Sequence, residues 1–223
     1  MRKAWARMRA RGIAETAAES LGRARAAWTS EGAVVFHVKA LSVGTPPEPP
    51  GRSIVRRATP DDAAAYARDI GTDSAGTFAR RLSPETDCWL LIENDRILHA
   101  SWATTSPAWT RELRAFFRPP AGDLYTYESF TRPEGRGRGA YPIVLAHLCA
   151  DAAGRGLRRA WVGVEADNAP SLRAVAKAGF QPAFRVRFRR RLGRLWTGEP
   201  EGEGASSCEG CVTPLPSRVR RSH

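Results

Sequence analysis

The stretch "TRPEGRGRGAYPIVL", Thr131 to Leu145, constrains this chain more than any other segment. Gly135, Gly137 and Gly139 fall on alternate residues, with Arg136 and Arg138 between them, directly before an apolar run. Each glycine costs roughly 0.5–1 kcal/mol of backbone entropy relative to alanine in a regular element, so three together need a local reason. The flanks supply it. "LYTYESF" (124–130) reads as a strand and Tyr141 to Ala153 as a helix, so the loop delivers the chain to a helix N-terminus. Such a terminus carries orphan N–H groups and about half a positive charge. Successive loop amides can form a concave nest for an anion, and two arginines add charge-assisted hydrogen bonds. A phosphate-bearing ligand is the expected occupant. The spacing is neither GxxxxGK[ST] nor GxGxxG, which excludes a nucleoside-triphosphate P-loop and a dinucleotide fingerprint.

Elements of both kinds surround the loop. "SIVRRAT" (53–59) reads as a strand, followed by helices over Pro60–Ile70 and Ser74–Leu82. "CWLLIEN" and "RILHASWATT" form a hairpin. Residues 107–122, with Trp109, Phe116 and Phe117, are a proline-flanked insertion that covers a core edge or lines a substrate entrance. After the loop helix come strand "RAWVGVEA", a short helix capped by Asn168 and ended by Gly179, and the alternating strand "FRVRFRRR". Four segments result: a basic amphipathic helix (4–28) and strand (33–41) within 1–41, a Pro-rich linker 42–52, one α/β domain 53–195, and a glycine- and serine-rich tail 196–223 expected to be disordered.

Charge invites a different reading and weakens it. The chain has a net charge of +12, but only three of its 35 basic residues are lysine, and the arginines are spread along the whole chain. "RVRFRRRLGR" is the exception. No sequence-specific nucleic-acid partner is expected; a membrane-surface contact through the N-terminal helix and a homodimer stay open. Cys88 and Cys149 read as small core residues. Cys208 and Cys211 offer two thiols where a structural zinc needs four ligands, so no metal is expected. With no 18-residue apolar run and no secretory leader, a cytoplasmic location is expected.

Two motifs together carry a family resemblance. "PEGRGRGAY" resembles the pyrophosphate-binding motif R/Q-x-x-G-x-G/A of the GNAT acetyltransferase superfamily, with Arg136 and Gly139 in matching places. "NAPSLRAVAKAGF" resembles that family's N-x-x-[AS]-x-x-x-Y-x-K-x-G-F motif at Asn168, Ser171, Lys177, Gly179 and Phe180. The likeness covers about residues 53–192. It implies a mixed, mostly antiparallel sheet splayed between its fourth and fifth strands and flanked by helices. It also implies acetyl-CoA, or another acyl-CoA, as co-substrate in the gap. By analogy Phe130 and Thr131 pair with the pantetheine arm; Arg136, Gly137, Arg138, Gly139, Ala140 and Tyr141 hold the pyrophosphate; and Asn168 and Ser171 lie beside the carrier. The implied reaction is acyl transfer to an amine of a small molecule or sugar.

Acyl transfer needs a neutral amine, a stabilised oxyanion and a proton for the leaving thiolate. The chain departs from the family at two of these points. Val175 stands where many relatives carry the proton-donating tyrosine, and Tyr141 replaces the last small residue of the first motif. Glu128, three residues before Thr131, is the leading candidate for the base, and His99 is a candidate for the acceptor groove. These departures leave two alternatives open: a CoA-binding protein without catalysis, and an arginine-driven nucleic-acid or membrane adaptor.

Overall fold

The computed structural model describes residues 29–192 and 194–214; the helix expected over 4–28 lies outside them. Its frame is one eight-stranded sheet. The hairpin expected from the sequence forms from β3 (Thr86–Glu93) and β4 (Arg96–Thr104), with β2 (Ile54–Arg57) on its outer edge. Asn94 and Asp95, both at positive φ, make the two-residue turn that matches strand twist. β4 then pairs with β7 (Asp123–Thr131), which runs parallel to β8 (Arg159–Glu165), the only parallel pair among the described residues.

Three apolar clusters hold this sheet. On one face, α1 (Ala63–Asp69) and α2 (Ala75–Arg81) cover Leu90, Ile97 and Trp102. Trp102 buries its indole against Phe78 and donates Nε1–H to the Tyr66 hydroxyl at 3.0 Å, which satisfies the one polar atom that burial would otherwise strand. On the other face, α3 (Ala140–Gly154) and α4 (Ala169–Lys177) pack Val144, Leu145, Leu148 and Val175 against Leu91, Leu124 and Val162.

The third cluster corrects the expected domain boundary. β1 (Thr29–Ala40) is no separate N-terminal piece: it lies inside the sheet, antiparallel to β8 on one side and β9 (Gln181–Arg191) on the other. Phe36 stacks between Phe117 and Phe184 at 4.8 Å from each, and Trp161 packs alongside. Residues 42–52 therefore cross from the middle of the sheet to its far edge instead of linking two bodies. The cue was absent because alternation in "AVVFHVKAL" identifies a strand but not its neighbours.

The tail departs from expectation in a similar way. β10 (Arg194–Thr197) extends β9 as a hairpin, and the chain returns so that Glu201 pairs with Arg185 and β11 (Val212–Pro214) pairs with β6 (Ala115–Phe117) of the insertion. β6 in turn pairs with β5 (Ala108–Thr110), giving a small three-stranded sheet. Cys208 and Cys211 are joined as a disulfide and are 2% and 6% exposed, so they are core residues and not loose thiols. A glycine-rich polar segment is ordered here because two buried sulfurs and a strand edge hold it. Cys88 and Cys149 are buried free thiols, as expected.

Candidate active site

The parallel pair determines where a ligand can enter. β7 and β8 are in register only from Asp123 opposite Arg159 to Thr126 opposite Val162. Beyond that point β7 continues to Thr131 along β4, while β8 continues to Glu165 along β1. The two strands part, leaving a wedge whose facing backbone edges lack a strand partner. Two local features force the parting. Glu128 sits at φ 47 within an irregular register between β4 and β7, which swings the end of β7 outward. Gly163, the first residue of β8 past the pairing, is roofed by Phe36, Val34 and the Tyr125 hydroxyl, each within 3.2 Å of where a Cβ would stand. Any side chain there would collide with the third cluster.

The glycine loop closes the outer end of the wedge. Gly137 and Gly139 adopt φ of 73 and 75, and Gly139 is the N-cap of α3. No other residue enters this left-handed region as cheaply. Pro133 to Gly135 form a short 3-10 turn, in which the Gly135 amide donates to the Arg132 carbonyl and the Arg136 amide to the Pro133 carbonyl. The next five amides, from Gly137 to Tyr141, have no carbonyl partner among the described residues, and Pro142 has no amide to satisfy. Nothing lies within 4 Å of a Cβ built on Gly137, so the cradle is open. Amide donors at the positive end of a 15-residue helix suit an anion such as a pyrophosphate. The arginines divide their roles. Arg138 donates Nη1–H to Glu93 at 2.8 Å and is held at the rim, whereas Arg136 makes only a long 3.4 Å contact to the Thr131 carbonyl and remains exposed.

Residues 56–180, more than half of the chain, match the sequence pattern of the Acetyltransferase (GNAT) family. The chain belongs to the GNAT acetyltransferase family. Solved structures share its fold. One is an acetyltransferase assigned to the GNAT family from Novosphingobium aromaticivorans, 17% identical, with a TM-score of 0.53 over 71% of this chain and 63% of that one. Another is a GCN5-related N-acetyltransferase from Sphaerobacter thermophilus, also 17% identical, with a TM-score of 0.54 over 82% of this chain and 58% of that one. The chain thus spans less than two thirds of either protein's length. A comparison with curated protein sequences finds no match.

The GNAT wedge brings together most residues singled out from the sequence. Phe130 turns its ring into the cluster beneath α1 and α2, leaving its backbone at the wedge edge. Ala140 is buried under the loop. Asn168 caps α4, its Oδ1 accepting from the Ser171 amide at 3.2 Å, which fixes the far lip. Glu128 is exposed and ion-paired to Arg81 at 2.8 Å. Arg81 also pairs with Asp73 and lies 3.9 Å over the Trp102 ring, so its charge stays balanced when Glu128 leaves it.

The structure adds a polar chain that sequence reasoning missed. His99 Nδ1 lies 2.7 Å from Thr131 Oγ1, His99 Nε2 lies 2.8 Å from Ser101 Oγ, and Ser101 Oγ lies 2.8 Å from Ser129 Oγ. The Tyr141 ring stacks on His99 at 5.1 Å. Burial pushes His99 down to about 3, so the imidazole is neutral and bridges one hydroxyl as donor and the other as acceptor. His99 is therefore part of the wedge's support and does not line an acceptor groove. Burial likewise raises Tyr141 to about 12. The alternation of His99, Ser101 with Ser129, Thr131 on antiparallel strands was visible, but not the register that joins them. Val175 is fully buried in the apolar cluster.

Asp69 anchors the loop from behind. Its side chain is fully buried; its carboxylate accepts from Arg68, from Arg96 at 2.9 Å and from the Ile97 amide at 3.1 Å, and Arg132 lies 3.6 Å away. Arg132, at the loop's first residue, also donates to the Asp69 carbonyl at 2.8 Å and pairs with Glu134. Burial alone raises a carboxyl, but Arg68, the Ile97 amide and Arg96 outweigh it and hold Asp69 at about 2. A folded value below the unfolded one contributes stability that is present above about pH 4 and lost as pH falls through 2. Asp69→Asn is expected to flatten the fall of the urea midpoint between pH 4 and 2; an unchanged acid slope contradicts this assignment.

Proposed function

We propose that the chain is an acyl-CoA-dependent N-acyltransferase that moves an acetyl group from acetyl-CoA to an amine of a small molecule or sugar. The carrying observation is the row of five unpaired amides, Gly137 to Tyr141, at the end of the strand that parts from its neighbour. The pyrophosphate would rest on those amides and on Arg136. The unpaired edges of Phe130 and Thr131 would take the pantetheine arm, with Asn168 and Ser171 at the opposite lip. Acetyl-CoA supplies an activated acyl carbonyl when bound.

The protein's own groups do the proton work. Glu128, released by Arg81 to Asp73, accepts the proton of the incoming amine. The Ser129 hydroxyl, next in the chain to the positive-φ residue Glu128, and the Tyr141 hydroxyl at the start of α3 are the groups assigned to offer a proton to the departing sulfur, replacing the donor that Val175 removes. No metal is assigned to the site; among the described residues no group of histidine, cysteine, aspartate and glutamate could hold one. A cytoplasmic setting suits this chemistry, and no described helix is long and apolar enough to cross a membrane.

Glu128→Gln is expected to lower kcat by roughly 100-fold, the range for losing a positioned base. Tyr141→Phe is expected to lower kcat while the heat of coenzyme A binding is kept. Release of coenzyme A from acetyl-CoA across an amine panel tests the reaction itself. Tight binding without turnover by the native chain favours a CoA-binding protein instead.

A further inference from the structure

The sequence spreads arginine along the chain, but the fold gathers a row of it on one strand. Arg185, Arg187, Arg189 and Arg191 occupy alternate, exposed positions of β9, so their side chains leave one face of the strand every ~6.6–6.8 Å. The same face receives Ala33 and Glu31 from β1, and Trp196 from β10 directly opposite Arg189. Trp196 is 50% exposed, an unusual place for an indole. A groove of about 710 Å³ runs between Glu31, Ala33, Arg187, Arg189 and Trp196. A second cavity of about 310 Å³, lined by Val35, Pro182 and Glu201, continues it and shares Arg185.

We propose that this groove binds single-stranded nucleic acid, with phosphates on Arg185, Arg187 and Arg189 and a base stacked on Trp196. An evenly spaced row of cations suits a linear polyanion, and an exposed aromatic beside it suits an unpaired base of any identity. A duplex keeps its bases stacked inside and offers no face to the indole. A bilayer surface is broad and flat and does not enter a groove. Two carboxylates occupy the row: Glu201 accepts from Arg185 at 3.1 Å and Arg187 at 3.3 Å, and Glu31 from Arg189 at 3.0 Å. Phosphates take over these partners on binding, so the protein's own acids set the affinity. The site recognises backbone and ring faces without base readout, and it is independent of the acyltransferase reading.

Fluorescence anisotropy of a labelled 12-nucleotide single strand on the full chain, over a salt series, tests this. Arg185→Ala/Arg187→Ala/Arg189→Ala is expected to weaken binding at least tenfold and to reduce the log–log salt slope by about 2, at roughly 0.7 per phosphate contact. Trp196→Ala should weaken binding about fivefold or more at an unchanged slope. Glu201→Gln should tighten it more than Glu199→Gln, because the described ion pairs to Arg185 and Arg187 come from Glu201. The proposal is overturned if the triple variant binds like the native chain, if Glu199→Gln and Glu201→Gln act alike, if duplex competes as well as single strand, or if only anionic phosphatidylglycerol vesicles bind through these arginines.

Discussion

Gly139→Val is expected to lower coenzyme A affinity by roughly 100-fold while the rest of the fold persists. Gly139 sits at φ 75 as the N-cap of α3, a conformation in which a β-branched residue is strained. The loop would relax by rotating the Arg138–Gly139 and Gly139–Ala140 peptides, and two amides would leave the cradle. Hydrogen bonds to a charged group contribute about 1.5–3 kcal/mol each, so losing two removes about 3 kcal/mol or more, which is a factor of about 100. Isothermal titration calorimetry with coenzyme A reads the affinity, and thermal unfolding reports whether α3 survives. Arg136→Ala, which leaves the backbone alone, should cost less, because one exposed guanidinium contributes one screened contact. If Gly139→Val binds coenzyme A like the native chain, the loop amides do not hold the pyrophosphate.

Phe36→Ala is the second large effect, and it is read in stability. Phe36 is fully buried on β1, stacked on Phe117 and Phe184 and close to Tyr125. Truncating such a ring costs about 3–5 kcal/mol in transfer and cavity terms. For a chain of this size each kcal/mol shifts Tm by about 2–4 °C, so a drop of roughly 6–20 °C is expected. The functional readout is sharper. Phe36 also roofs Gly163, where β8 leaves β7, so the variant should lose acyl transfer at temperatures where circular dichroism still shows it folded. A Tm within about 2 °C of the native value, a change of about one kcal/mol or less, would show that β1 is not part of the structural core.

Much of this protein was legible in its residues because the physics was local. Glycines at 137 and 139 before an apolar helix specify a turn through the left-handed region, and Asn168 four residues ahead of Leu172 specifies a cap; both depend on neighbours within a few positions. The hairpin at Asn94–Asp95 was visible for the same reason. What escaped detection was long-range. Asp69 and Arg132 are 63 residues apart along the chain by the hydrogen bond that joins them, and neither flank marks the other. The polar chain from Ser129 through Ser101 and His99 to Thr131 depends on strand register, which alternation alone does not specify.

The linear order of residues, taken alone, therefore determined the glycine loop, the helix it opens and the strand that feeds it, since backbone conformation and capping act over one or two turns. Only the tertiary structure decided that β1 is buried between β8 and β9, that Cys208 and Cys211 close a core, and that scattered arginines line one groove. Burial and strand pairing are properties of elements brought together from distant parts of the chain, and the free energy that selects them does not exist until they meet.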